Sequence, residues 1–490
     1  MVSQPPDVTG PALPVLRRVA FESTEEAPTD DARSLNVALQ RGGTVIIRDG
    51  NYRLRTTLVI GTPRTLLQLP CGTLSSNANP VLLIRASDVM VRGCGYFGTE
   101  LYNESATNDA IVVDGRPQGI SGVTLRDFSI PSHSSGDLRS GGTAIRLSSV
   151  GDWALSGVYI RDPWVGLDID NASTGFVSNV VIDTTLPSQS LHTGIRVRHQ
   201  SVSTHFSNVM VTSQKTPFEF GWYIGSDTDT FSCRMCGVQG NAAYGFATRR
   251  DEGEYAPRWL RIIHPFVEVA PETGIGFDLG PVRDVSITDA YSVWGLHNVR
   301  VGADAQTVKV RGGTAQLAYK HGVLIEGGSD IMIDGVTISD AGQSADNKYD
   351  GIAIAANMAG GVRISNCTSG NVIWRGSSPA SATNRQRYGI SIAAGRGDRY
   401  TIVNNDLDQN ESGPLLDLGR GQSKVVEGNR PNGSGVAVLT KGKGTVKVYE
   451  GCRALCTSTS SLSAVRCAVA GGQLAIRSIG ASDVVNWRCY

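Results

Sequence analysis

The stretch "DDARSLNVALQRGGTVIIRDGNYRL", Asp30 to Leu54, is one short helix, a glycine pair and a strand that ends in a turn, and no later stretch repeats it. Asp30 and Asp31 are placed to cap a helix whose apolar positions Leu35, Ala38 and Leu39 fall at i, i+3 and i+4, and Gly42-Gly43 ends it. "TVIIRDGNYRL" follows with strand residues and an Asp-Gly-Asn turn. A chain that writes one helix near its start and only strands afterwards needs an architecture with a single end to cover.

Downstream, a loose repeat supplies that architecture. Gly or Ala followed by alternating apolar residues recurs as "AIVV" at 110, "AIRL" at 144, "GLDI" at 166, "GIRV" at 194, "GWYI" at 221, "GFAT" at 245, "GFDL" at 276, "GLHN" at 295, "GVLI" at 322, "GIAI" at 351 and "GISI" at 389. Successive starts lie 19 to 38 residues apart. Between them run segments such as "VTLRDFSI", "HFSNVMV" and "IMIDGVTI", in which apolar residues alternate and Asn, Asp or Gly marks a corner. Each unit thus holds about three short strands and cannot bury its own apolar face, so the units must stack. The expected fold is all-β: a right-handed, three-sheet parallel β-helix of ten to twelve coils, about 4.8 Å apart. An open solenoid end exposes unpaired backbone and core, and the helix of this opening stretch is the natural lid.

Composition agrees. Glycine is 58 of 490 residues, well above the usual level of about 7 per cent, and charged residues are 18 per cent, below the usual 25 or so. With 45 basic and 45 acidic residues and no basic block, the chain carries no electrostatic footprint for nucleic acid. No apolar run approaches the ~20 residues of a membrane helix, so no membrane insertion is expected, and the N-terminus lacks the pattern of an export signal. Three regions follow: an extended, proline-rich arm at 1–27, the capped β-helix at 28–430, and at 431–490 a small antiparallel β domain of five or six short strands with glycine turns.

The opening stretch also resembles the N-terminal segment of pectate-lyase-like β-helix proteins, a superfamily that includes phage tailspikes. The resemblance is carried by the Asp pair, the Leu35/Ala38/Leu39 face, the Gly pair and the "GNYRL" turn. The last 55 or so residues are similar to compact modules that close viral β-helix spikes and help three chains associate. The resemblance implies a tailspike or receptor-binding spike: a homotrimer, located in the virion tail and assembled in the host cytoplasm. Its partners would be a host surface polysaccharide and, through residues 1–27, other tail proteins. The same fold start occurs in lyases, hydrolases and silent adhesins, so a non-catalytic receptor-binding or structural virion protein is the alternative, and a stand-alone polysaccharide lyase a further one.

Chemistry is sought in the stretch 219–297, which concentrates Phe220, Trp222, Tyr223, Tyr244, Tyr255, Trp259, Tyr291 and Trp294. Rings that stack on sugar faces with carboxylates nearby suit a carbohydrate groove. A glycoside hydrolase needs two carboxylates about 5 to 9.5 Å apart, a span of one or two coils. The insertion "RRDEGEYAPRW" supplies Asp251, Glu252 and Glu254, and the strand end "PFVE" supplies Glu268; these are the candidate acids, with Trp222, Tyr223, Tyr255, Trp259 and Trp294 as candidate sugar contacts. Asp183 and Asp340 end equivalent strands. The acidic runs at 168–171, 227–229 and 404–410 are read as corners.

No cofactor and no metal site is expected. Cys452, Cys456, Cys467 and Cys489 do not repeat the C-x2-4-C pairing of structural zinc. Cys233 and Cys236, three apart in a strand, should point to opposite faces, and nine scattered cysteines suggest reduced thiols. His192, His199, His205, His264 and His297 show no HxH or HExxH spacing and are read as surface or corner residues.

Overall fold

The computed structural model describes residues 31–131, 140–186, 192–355, 361–371, 384–395, 399–419 and 423–430, and beyond them the backbone of six strands between Ser434 and Cys489. The expected arm at 1–27 lies outside the described residues. The helix spans Asp31–Arg41, buries Ala32, Leu35, Ala38 and Leu39, and stops at Gly42, whose N–H bonds the Leu39 carbonyl at 3.1 Å in a left-handed conformation (φ 70°). Asn36 docks it. Its Nδ2 donates to the Thr57 carbonyl at 2.9 Å and its Oδ1 accepts the Val59 N–H at 2.7 Å. One side-chain amide thereby does for the first rung, Leu58–Ile60, what a neighbouring strand would have done.

Behind the lid, three parallel sheets run along the rod, taken here in chain order from Gly43–Ile46, Tyr52–Leu54 and Leu58–Ile60. The third sheet carries fourteen strands joined by thirteen parallel pairings, from Leu58–Ile60 to Gly413–Gly419. The repeat segments read from the sequence fall in it, preceded by Leu58–Ile60 and Leu82–Ile84 and followed by Gly413–Gly419. One register needs correction. The strand is His297–Val301, with Asn298 beside Gly276, so "NVRV" rather than "GLHN" is the repeating unit. The 19-residue interval disappears: Gly276 to Asn298 is 22 residues and Asn298 to Gly322 is 24.

Stacking explains the residue choice at each position. One inward ladder runs from Leu58 through Ile195, Trp222, Phe246 and Phe277 to Leu415, all buried. Trp222, Phe246 and Phe277 lie ring on ring, 5.2 and 5.4 Å apart and within 11° of parallel. From Gly166 to Gly389 the residue before this ladder is glycine on every rung but one, because the third sheet there meets the second: a Cβ on Gly194 would stand 2.6 Å from both the Gly221 carbonyl oxygen and Val211 Cγ1. Asn298 takes the glycine position once and folds its Nδ2 back onto the carbonyls of Ser292, Trp294 and Gln316. Corners are turned by left-handed residues, many of them Asn or Asp, among them Asn171, Asp227, Asp340 and Asn404.

At the far end, 434–438, 484–489 and 454–458 form one three-stranded antiparallel sheet, and 443–447, 473–478 and 465–470 form another. The side chains of Cys452, Cys456, Cys467 and Cys489 lie outside the described residues. Two disulfides correct the reading of the other cysteines as thiols. Cys71 is bonded to Cys94 and Cys233 to Cys236. Met235 turns left-handed (φ 54°), which breaks strand alternation and brings Cys233 and Cys236 to one side. Cys367 is a buried free thiol, its pKa pushed up to about 11 by burial. His192 and His297 are buried, not at the surface as the sequence suggested, because both begin third-sheet strands.

Candidate active site

The repeats "GLDID" (166–170) and "GIRVR" (194–198) lie on adjacent rungs, which sets Asp168 beside Arg196 and Asp170 beside Arg198 on the outward face of the third sheet. Asp168 is fully buried beneath these arginines. Arg196 grips it with two hydrogen bonds of 2.9 and 2.8 Å, and Arg198 with two of 3.2 Å. Burial pushes this carboxyl up, but the hydrogen bonds from Arg196 and Arg198 prevail and hold it below its ordinary pKa. Arg198 also reaches Asp170 at 3.2 Å.

The chain then turns at His199 (φ 49°). Asp170 Oδ1 holds His199 Nδ1 at 2.9 Å, which leaves Nε2 directed at Asp251 Oδ2, 3.9 Å away. Asp251 and Glu254 come together on a tight turn of the insertion that follows the strand at 242–248. Gly253 is left-handed (φ 81°) and the Glu254 N–H bonds the Asp251 carbonyl at 3.2 Å. Ser226 steadies the turn, its Oγ accepting the Asp251 N–H at 2.7 Å and donating to Oδ2 at 3.4 Å. Ligating atoms of His199, Asp251 and Glu254 all lie within 4.8 Å of one another. Glu254 Oε2 is closed to solvent with no hydrogen-bond partner among the described residues.

An aromatic platform adjoins this group. Phe220 and Tyr244 stack at 5.2 Å, and the Arg249 guanidinium lies over both rings, 5.3 and 4.7 Å from their centres. Tyr223 packs edge-on against Phe220 at 5.2 Å. Its hydroxyl pKa is raised first by burial and then by the Asp251 charge, against the opposing pull of Arg249, Arg196 and Arg198. Arginine and tyrosine donors, flat rings and two close carboxylates share this face, a set suited to a sugar chain with one cleavable bond at the carboxylates. The same three donors, one imidazole and two carboxylates, are also those that would hold a cation.

The predicted residues separate into those that meet here and those that do not. Asp251, Glu254 and Tyr223 meet. Glu252 is exposed on the same turn, and Tyr255 beside it is 72 per cent exposed, its carbonyl accepting the Asp227 N–H at 3.0 Å. Trp259 stands at the start of a first-sheet strand, half exposed, with the Arg258 guanidinium 4.9 Å from its ring. Glu268 ends a second-sheet strand and Trp294 turns the next corner, so both sit at the opposite edge of the third sheet from the 251–254 turn. Trp222 is a correction. It is fully buried in the core stack and touches no sugar. His199, Asp170, Arg196 and Arg198 were not among the sequence candidates, although the aligned repeats place Asp over Arg at two positions.

No family model and no curated protein matches the chain. Among solved structures it is similar to the A-module of the Azotobacter vinelandii mannuronan C-5 epimerase AlgE6, at 16 per cent identity and TM-score 0.52 over 82 per cent of this chain and 95 per cent of that one. It is also similar to the bacteriophage CBA120 tailspike protein 3, at 12 per cent identity and TM-score 0.56 over 82 per cent of this chain and 59 per cent of that one. These likenesses show the fold, a parallel β-helix. No helix among the described residues is long and apolar enough to cross a membrane.

Proposed function

We propose that this chain is a tailspike-type spike that binds a host surface polysaccharide along the outward face of its third sheet and cleaves it at Asp251 and Glu254. The observation that carries this reading is the turn itself: two carboxylates with oxygens within 4.8 Å of each other, beside an aromatic and arginine-lined platform. Carboxyl groups about 5 to 5.5 Å apart are the arrangement of retaining glycoside hydrolysis. One carboxyl protonates the leaving oxygen while the other attacks the anomeric carbon, and water then releases the sugar. Asp170 and Arg198 orient His199, which in turn faces the Asp251 carboxylate. Tyr223, Phe220 and Tyr244 take the sugar faces, with Tyr255 at the rim. Three such chains form the spike, residues 1–27 join it to the other tail proteins, and it is assembled in the host cytoplasm.

The test is release of sugar ends from purified bacterial surface polysaccharide. Asp251→Asn and Glu254→Gln each lower the rate by at least 100-fold with binding retained, while Glu268→Gln leaves it unchanged. New reducing ends without unsaturated, ultraviolet-absorbing product identify hydrolysis, and unsaturated ends identify a lyase. Undiminished cleavage by both variants refutes the assignment, and binding without any cleavage by the unmodified chain leaves the non-catalytic adhesin.

A further inference from the structure

The outward row of the third sheet that carries Phe220 and Tyr244 runs on through Ile275 to His297, and the next rung brings His321. The two imidazoles lie ring on ring, 5.8 Å apart and within 5° of parallel, where the chain enters the sheet. His297 is buried, and only 19 per cent of the His321 side chain is exposed. Tyr349 packs edge-on against His321 at 5.3 Å. The loops that lead into these rungs stack as well. The Tyr319 N–H bonds the Gly295 carbonyl at 2.7 Å, and those of Gly342 and Ser344 bond the Ala318 and Tyr319 carbonyls at 2.9 Å.

Hydrogen bonds fix the proton on each ring. His297 Nδ1 meets the His321 carbonyl at 3.0 Å; a carbonyl only accepts, so Nδ1 carries the hydrogen and Nε2 is the basic atom. His321 Nδ1 accepts the Asp350 N–H at 3.1 Å, so it is Nδ1 that takes a second proton. A proton there sets N–H against N–H and ends the bond at the foot of the strand Ile352–Ile354. Asp350 also accepts two bonds of 2.8 Å from Arg387 and one of 2.6 Å from Ser391 on the following rung. A charge on His321 is therefore felt from Tyr349 to Ser391.

Nothing around the pair invites that charge. Asp350 is committed to Arg387, and Glu326 to Arg300 at 2.8 Å. Lys320 faces both rings, and Lys348 stands 5.4 Å from the centre of Tyr349. Ile275, on the far side of His297, is apolar. Burial is the main cause that lowers both imidazoles, His297 to about 4. Both folded values lie below the ordinary 6.5, so the stability these groups give is whole above pH 6.5 and is lost as pH falls from there toward about 4. Asp340, at the base of the 342–344 loop, works in the opposite sense, because burial raises its carboxyl and acid favours its folded form.

We propose that His297 and His321 form an acid latch: as neutral rings they tie the third-sheet strands His297–Val301, Val323–Ile325 and Ile352–Ile354 together, and protonation opens this stretch while the lid end of the rod stays closed. The latch touches neither Asp251 nor Glu254, so it stands whether or not those residues cleave a sugar chain. It would make protons a regulator of the rod's far half.

The test is amide hydrogen exchange of the full chain, read by mass spectrometry at pH 7 and pH 5 with rates corrected for intrinsic chemistry. Peptides covering 297–301, 323–325 and 352–354 should open at least about 10-fold more at pH 5, while those covering 111–114 and 145–148 stay unchanged. His297→Phe keeps a flat ring and His321→Asn keeps an acceptor for the Asp350 N–H; together they should abolish the difference. Exchange at the imidazole C2 positions of the unmodified chain reads the two rings directly, whatever the variants' folding, and both should titrate below 6.5. Equal opening in the lid-end peptides, a difference that survives in the double variant, or either ring titrating at or above 6.5 overturns the proposal.

Discussion

Asp340 ends a second-sheet unit at a left-handed corner (φ 55°), is 4 per cent exposed, and has no cation paired with it among the described residues. Burial pushes its pKa up to about 6, against a smaller lowering by the Ser339 hydrogen bond. Its folded-state pKa therefore lies above the unfolded value of 3.8. The stability this group contributes is whole below pH 3.8 and is lost as pH rises through about 6, because the unfolded chain ionises first. The interval from 3.8 to about 6, at about 1.4 kcal/mol per pH unit, comes to about 3 kcal/mol by neutral pH. Asp340→Asn removes that ionisation while keeping the shape and the tolerance of the left-handed corner. In urea unfolding followed by intrinsic fluorescence, the variant should exceed the parent by about 3 kcal/mol at pH 7.5, and the advantage should shrink to under about 1 kcal/mol at pH 4. An advantage of equal size at both pH values, or a loss at pH 7.5, refutes the account of Asp340 as a buried, uncompensated acid.

Two further outcomes follow from the stacked geometry and from the site. Gly194→Val places methyl groups against the Gly221 carbonyl and Val211, where even a Cβ would stand 2.6 Å away; it should abolish soluble expression or cost at least about 3 kcal/mol, measured by urea unfolding of whatever folds. Chelation with EDTA should leave release of sugar ends unchanged, because the proposed cleavage takes its proton transfers from carboxyl groups. Loss of activity on chelation, restored by manganese or calcium, would make His199, Asp251 and Glu254 ligands instead.

The rod was legible in the sequence because stacking makes every coil obey the same rule. Glycine before an apolar pair marks where two sheets touch, and Asn or Asp marks where the chain turns. "GLHN" misled because Asn298 stands where a glycine usually does, and the true glycine-like position could not be seen without its hydrogen bonds. The carboxylate-rich turn was legible as a region. Trp222 was misassigned although its neighbour settles the matter: in a strand Trp222 and Tyr223 face opposite ways, and only one can meet solvent. His199 and Asp170 stayed out of view because they lie 52 and 81 residues before Asp251 and reach it through successive rungs. The buried disulfide at 233–236 depended on one residue's φ, which no spacing reveals.

The insertion that carries Asp251 and Glu254 leaves the third sheet at Thr248 and rejoins the first at Arg258, and the rungs on either side pair as though it were absent. Loop length enters closure cost only logarithmically, so longer or shorter inserts between those two points strain the rod little. The turn is therefore an exchangeable cassette. On the proposed reading, replacing these nine residues changes the bond that is cut while the lid and the core stay unaltered.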